Sequence, residues 1–346
     1  MILDNLIREN VKNMSAYSSA RDEFNAAADD FLFLDANENP FDTDYNRYPD
    51  PYQHRLKAAI SDIKQIPKEN IILGNGSDEV LDLIFRAFCE PNQDEIITMP
   101  PTYGMYEVLA NLNAIKTVAV PLKKGFQIDV DAVRSSITEQ TKLIFICSPN
   151  NPSGNLLQIN DIKIILDEFS GLVVIDEAYI DFAANSSFIS ELNDYPNLII
   201  TQTFSKGLAH AGIRVGMCFA SERIISVLNK IKPPYNINQL SQSKALEVIQ
   251  SFETYLFQIE IVKSERELLS EAFKTISWIQ HIYPSESNFL LCKVDDANYR
   301  YKQLLEQKIV VRNRTNQHLC ENCLRFTVGT PEQNQTLIKV LKQLDS

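Results

Sequence analysis

Between positions 95 and 220, short runs of aliphatic and β-branched residues alternate with amphipathic stretches. The runs at 95–99, 115–120, 142–147, 172–176, 198–202 and 215–220 read as strands. Residues 77–88 and 159–169 read as amphipathic helices, the first with Ser77 or Asn75 as its cap. Asp78 and Glu79 fall in its first turn, where the helix dipole favours acids. Strands and helices in alternation predict an α/β unit, a mostly parallel sheet covered by helices.

The pattern changes after Pro233-Pro234, which ends the helical stretch 222–231. A long helical segment is expected over roughly 237–273, joining two domains. Beyond it come strand candidates at 289–294, 309–311 and 324–328. A last helix begins near Pro331, a residue suited to the first helical position. The expected organisation is an amino-terminal arm (1–30), a large domain (31–236), and a linker helix with a smaller α+β domain (237–346).

A length of 346 residues agrees with about two domains at ~150 residues each. Hydrophobic residues at 45% and charged residues at 23% place the chain in the soluble globular range. The net charge of -12 argues against nucleic acid as a partner, because phosphate backbones attract basic surfaces. No apolar run approaches the ~18 residues that a membrane span needs. The stretch from Met1 to Arg8 lacks the basic start and apolar centre of a signal peptide. Four of the six cysteines stand singly in apolar segments, as reduced core residues do. Cys320-Glu321-Asn322-Cys323 has CxxC spacing but no second pair and no nearby His-x-x-x-His, so no metal is expected. A reducing, cytoplasmic setting follows as the expectation.

Lys206 carries the clearest chemical signal. It follows the apolar run 198–200 in Thr203-Phe204-Ser205-Lys206-Gly207-Leu208-Ala209-His210-Ala211-Gly212-Ile213-Arg214. Small apolar neighbours and a nearby arginine make its proton easier to lose, and a neutral lysine is a nucleophile toward aldehydes. Asp176 ends a buried run, in Asp176-Glu177-Ala178-Tyr179, where a carboxylate needs a cationic partner. A protonated ring nitrogen is one such partner; a helix cap or a magnesium ligand is the alternative. Tyr179 either donates its phenol to a ring oxygen or serves packing alone.

Ser148-Pro149-Asn150-Asn151-Pro152-Ser153-Gly154 follows a strand, which puts Asn151 where ligands bind in open α/β sheets. Turn formation alone also accounts for that composition. Gly74-Asn75-Gly76-Ser77-Asp78 opens a helix with free N–H groups, a weak phosphate signal that Ser205 and Arg214 would complete. Tyr103 is a candidate to stack on an aromatic ring, with core packing as the alternative. Arg325 alternates with apolar residues in a strand and so faces water or an anion. Arg314 lies upstream as a second candidate, while Arg312 reads as a solvated edge charge.

These blocks, in this order, resemble the fold-type I, class-II pyridoxal-phosphate-dependent aminotransferases over essentially the whole chain. Tyr17-Ser18-Ser19-Ala20-Arg21, Asn37-Glu38-Asn39-Pro40, Asn46-Arg47-Tyr48-Pro49-Asp50, Pro101-Thr102-Tyr103-Gly104-Met105-Tyr106 and Pro233-Pro234-Tyr235-Asn236 narrow it further. They are similar to the branch that transfers an amino group between histidinol phosphate and 2-oxoglutarate, giving glutamate, in histidine biosynthesis. The resemblance implies pyridoxal 5'-phosphate as cofactor, held on Lys206 as a Schiff base. Asp176 would pair with the ring nitrogen, Asn151 and Tyr179 with the ring oxygen, and Tyr103 would stack on the ring.

The phosphate would rest on Ser77, Asp78, Thr203, Ser205 and Arg214. Tyr48 would reach it from the partner subunit of a homodimer. Tyr17, Asn37, Arg314 and Arg325 match substrate-contacting positions. Gly207, His210 and the loop 315–322 depart from the commoner family pattern. A phosphothreonine-type decarboxylase, a broad aromatic aminotransferase and a non-catalytic module are the competing readings.

Overall fold

A computed structural model describes residues 3–16, 32–184 and 187–345. Tyr17 and its neighbouring markers lie outside the described residues. The chain builds two sheets. The larger contains β1 (Ile71–Asn75), β2 (Glu95–Thr98), β3 (Lys116–Ala119), β4 (Thr141–Cys147), β5 (Leu172–Asp176), β6 (Leu198–Thr203) and β7 (Val215–Ala220), in the order β1-β7-β6-β5-β4-β2-β3. Strands β3, β2, β4, β5 and β6 run parallel, while β7 is antiparallel to both of its neighbours.

Parallel neighbours need a crossover. The helices Met105–Leu112 and Ile159–Glu168 supply two of them. Helices on both faces leave β4 to β6 buried along nearly their whole length. Alternate side chains then feed two cores: Ile144, Ile146, Val173 and Ile175 on one face, Leu143, Phe145 and Val174 on the other.

The smaller sheet is antiparallel: β8 (Ile279–Ile282), β9 (Phe289–Val294), β10 (Arg312–Asn313) and β11 (Cys323–Thr327), in the order β10-β11-β9-β8. It encloses its own core of Phe273, Trp278, Leu290, Leu324 and Phe326. The run 309–311 is not a strand; pairing begins at Arg312, opposite Arg325. The long helix expected over 237–273 is two helices, Gln239–Gln250 and Phe252–Phe273, meeting at Ser251. The first buries Ala245, Val248 and Ile249 in the core of the large sheet.

The carboxyl ends of β2, β4, β5 and β6 face the same edge of the sheet. The cavity around Lys206 is lined in part by residues at those ends, among them Cys147, Asp176 and Thr203.

Candidate active site

Helix Ser77–Phe88 begins at Gly76, whose φ of 75° suits glycine alone. A Cβ there would stand 2.4 Å from the Arg214 guanidinium, so the bare backbone is what lets that side chain approach the helix start. Neither Ser77 nor Asn75 caps this helix with its side chain; instead the Glu79 carboxylate accepts the Asn75 N–H at 2.6 Å. That leaves the Ser77 hydroxyl unused by the cap.

Arg214, itself left-handed at φ 54°, donates to the Ala211 carbonyl at 3.1 Å and to Ser205 Oγ at 3.4 Å. Thr203 Oγ1 accepts the Ser205 N–H at 3.1 Å and shapes the turn into Lys206. Helix start, hydroxyls and guanidinium together form an anion cradle.

A cavity of about 190 Å³ adjoins the cradle, lined by Ser77, Asp78, Tyr103, Asn151, Asp176, Tyr179, Thr203, Ser205, Lys206 and Arg214. Cys147, Ala178 and Ala211 complete its wall. Lys206 Nζ lies over the Tyr179 ring, 5.6 Å from its centroid. Burial lowers the pKa of this lysine, and Arg325 adds to the effect. Across the cavity Asp176 is 3% exposed, and burial raises its carboxyl above the usual range. The Ala178 N–H and the Tyr106 phenol donate to it at 3.1 and 2.8 Å. Tyr103 donates to Asp78 Oδ1 at 3.1 Å, which fixes its ring at the wall.

On the small-sheet side, Arg325 lies over the Phe289 ring at 4.9 Å and donates to the Asn151 side-chain oxygen. Asn151 Nδ2 donates to none of the described residues and is left for a ligand. Among the described residues, the buried Nε atoms of Arg325 and Arg314 have no hydrogen-bond partner. Burial lowers both guanidinium values, Arg325 to about 10, with each arginine also lowered by a neighbouring one. Two desolvated, incompletely paired cations need an anion. Arg312 is exposed, as its reading as an edge charge anticipates.

Some candidates fall elsewhere. Tyr48 stacks on Tyr235 at 4.6 Å beside a separate cavity of about 480 Å³, away from Lys206 in the same chain. Asn37 is exposed, with φ 55°, and lines neither cavity. His210 bonds the Leu208 carbonyl through Nδ1 at 2.6 Å and meets the Tyr255 ring, a packing role. Gly207 has a local cause: a Cβ there would meet Asp181 Oδ2 at 2.3 Å. In the loop 315–322, Leu319 and Asn322 supply the left-handed residues in place of glycine. The sequence pattern alone does not assign Tyr106 or Cys147 to the site. Tyr106 has a visible signal, since it closes the Pro101-to-Tyr106 block three positions after Tyr103.

The residues fit pyridoxal phosphate. The cradle suits a phosphate, the buried carboxylate suits a ring N–H, and the depressed lysine lines the same cavity. The chain belongs to the aminotransferase class I and II family, which matches residues 31–341. It is 55% identical over 342 residues to the histidinol-phosphate aminotransferase of Flavobacterium psychrophilum, covering 99% of each chain. The crystal structure of the histidinol-phosphate aminotransferase from Clostridium acetobutylicum superposes with a TM-score of 0.80 at 27% identity, covering 87% of this chain and 91% of that one. That from Sinorhizobium meliloti, in complex with pyridoxal-5'-phosphate, shares the fold at 22% identity with a TM-score of 0.78, covering 87% and 84%.

Proposed function

We propose that this chain is a pyridoxal-phosphate-dependent aminotransferase that moves the amino group of L-histidinol phosphate to 2-oxoglutarate, in histidine biosynthesis. The observation that carries the reading is a pair of half-buried arginines whose buried Nε atoms are unpaired among the described residues: Arg325 bonds Asn151 in the wall of the Lys206 cavity, and Arg314 neighbours Arg325. A phosphorylated amine and a dicarboxylate share one requirement, an anion held at a fixed distance from the reacting amine. One site with two guanidinium forks serves both.

When bound, pyridoxal phosphate supplies an aldehyde that condenses with amines and a ring that accepts electron density from the substrate's α-carbon. The protein does the rest. Ser77, Asp78, Thr203, Ser205 and Arg214 would anchor the phosphate, and Tyr103 would cover one ring face. Asp176 would accept the ring N–H, and Tyr179 and Asn151 would donate to the ring oxygen. Lys206, made more often neutral by burial, serves as nucleophile. Its Nζ would also move the proton of the substrate α-carbon, as general base and then acid. Arg325 and Arg314 bind the substrate anion and set where that α-carbon stands.

The working unit in this proposal is a homodimer in a reducing cytoplasm. Leu34, Phe41, Tyr45, Tyr48 and Leu240 leave an exposed apolar surface for a second copy, and Tyr48 then reaches the partner's phosphate cradle. The described cysteines are all free and buried. No helix among the described residues is long and apolar enough to cross a membrane.

The test is an assay of glutamate formed from 2-oxoglutarate, comparing L-histidinol phosphate, aromatic amino acids and phosphothreonine as donors. Histidinol phosphate should give the highest kcat/KM. Carbon dioxide release from phosphothreonine without glutamate would place the chain among the decarboxylases instead.

A further inference from the structure

Tyr106 stands on the first turn of helix Met105–Leu112 and is completely buried. Its ring is held from two directions, stacked on Phe145 at 4.9 Å and 21° and set edge-on to Tyr103 at 5.6 Å and 84°. Held this way, its hydroxyl donates to Asp176 Oδ2 at 2.8 Å, with the Cys147 thiol beside it. The Ala178 N–H takes the other carboxylate oxygen at 3.1 Å. Burial drives the Tyr106 phenol well above its ordinary value, so it is a permanent donor.

A neutral donor has a specific consequence for a buried carboxylate. A protein cation in the same place would satisfy its charge and leave little for a ligand. An O–H bond steadies the ionised form and keeps the negative charge available. We propose that Tyr106 is a positioning residue, whose O–H bond holds the Asp176 carboxylate ionised and oriented as the partner of a cationic ring nitrogen. This rests on the cofactor reading given above.

The other groups facing Asp176 come from every neighbouring element. Asp78 lies on helix Ser77–Phe88, Tyr103 in the loop after β2, Cys147 at the end of β4, Tyr179 after β5 and Lys206 after β6. Lys206 is the one cation among them, and Asp78 opposes ionisation. With burial pressing toward the neutral acid, the Tyr106 bond is the largest influence in the other direction.

The experiment uses full-length protein without cofactor, carrying carboxyl-¹³C aspartate, with the Asp176 signal identified by its loss in Asp176→Asn. Tyr106→Phe keeps the ring and removes the O–H. Its Asp176 titration midpoint should move upward by roughly one unit, a tenfold gain in proton affinity. In the loaded enzyme, kcat should fall with KM for the amine donor little changed, and cofactor affinity should weaken more steeply toward neutral pH. Phe145→Leu loosens the same packing but retains the O–H; it should lower thermal stability and leave the midpoint in place.

Coincident midpoints in wild type and Tyr106→Phe overturn the proposal, as do equal shifts in both variants. Should Tyr106→Phe not fold, 3-fluorotyrosine substitution throughout strengthens the phenol as a donor and should lower the midpoint; no movement overturns the proposal. The titration involves neither cofactor nor substrate. An unmoved midpoint in a chain that transaminates therefore rejects the role of Tyr106 alone. A wild type inactive on every donor rejects the functional reading alone.

Discussion

Burial acts on Asp176 and Lys206 in opposite senses, raising the carboxyl and lowering the ammonium, so each is moved toward its neutral form. The shift at Asp176 makes folding stability depend on pH. Its folded value lies above the ordinary 3.8, so its contribution is full below that pH and is lost as pH rises through the folded value. In cofactor-free protein, Asp176→Asn should therefore be more stable than wild type by about 1–3 kcal/mol near neutrality. The difference should shrink toward about pH 4, as urea unfolding across that range would record. The same variant should lose most of its turnover.

Arg314→Leu should raise KM for histidinol phosphate roughly 10–100-fold, the worth of a charge-assisted hydrogen bond of about 1.5–3 kcal/mol, with a smaller change in kcat. Steady-state kinetics separates the two parameters. An unchanged KM would remove Arg314 from the anion site.

At the scale of elements, the site depends on where backbones approach closely. Gly76→Ala puts a methyl group against Arg214 and forces an unfavourable φ. It should cost about 1–3 kcal/mol of stability and weaken cofactor binding, measured by equilibrium dialysis. Most of these elements are legible in the chain, because a buried strand ending in Asp176 and a helix opening at Ser77 each have a local sequence cause. Others are not. Strand β1 is masked by Gly74-Asn75-Gly76, whose composition reads as loop, although Ile71 to Leu73 are fully buried and pair with β7. Strand β8 is partly exposed and carries the polar Gln280 and His281, so its pairing with β9 decides it rather than its own pattern. The break at Ser251 has no glycine or proline to announce it. Because the helix before it packs on the large sheet, we place the division between the two units near Ser251 rather than at 237.

Across the whole molecule, Lys206 follows a strand of the large sheet and Arg325 lies in the small one, and Arg325 reaches the cavity wall at Asn151. Arg325 bridges them through Asn151, and Glu286 N–H bonds the Gly154 carbonyl at 2.7 Å beside it. Tyr106 illustrates what a linear reading omits. Its block is recognisable, but its bond to Asp176 spans 70 positions and is made only in the folded chain.

If Tyr48 acts across a dimer, Tyr48→Phe subunits mixed with Lys206→Ala subunits should form hybrids with one fully native site. Activity should reappear on mixing two weak or inactive proteins; its absence would contradict a shared site.

The central claim is tested most directly by mixing wild-type protein, loaded with pyridoxal phosphate, with L-histidinol phosphate and no keto acid. The visible absorption band of the bound cofactor should give way to that of its amine form, with one equivalent of keto product per site, and 2-oxoglutarate should restore the original band. A band that persists in the presence of saturating histidinol phosphate would contradict a transaminase acting on this donor.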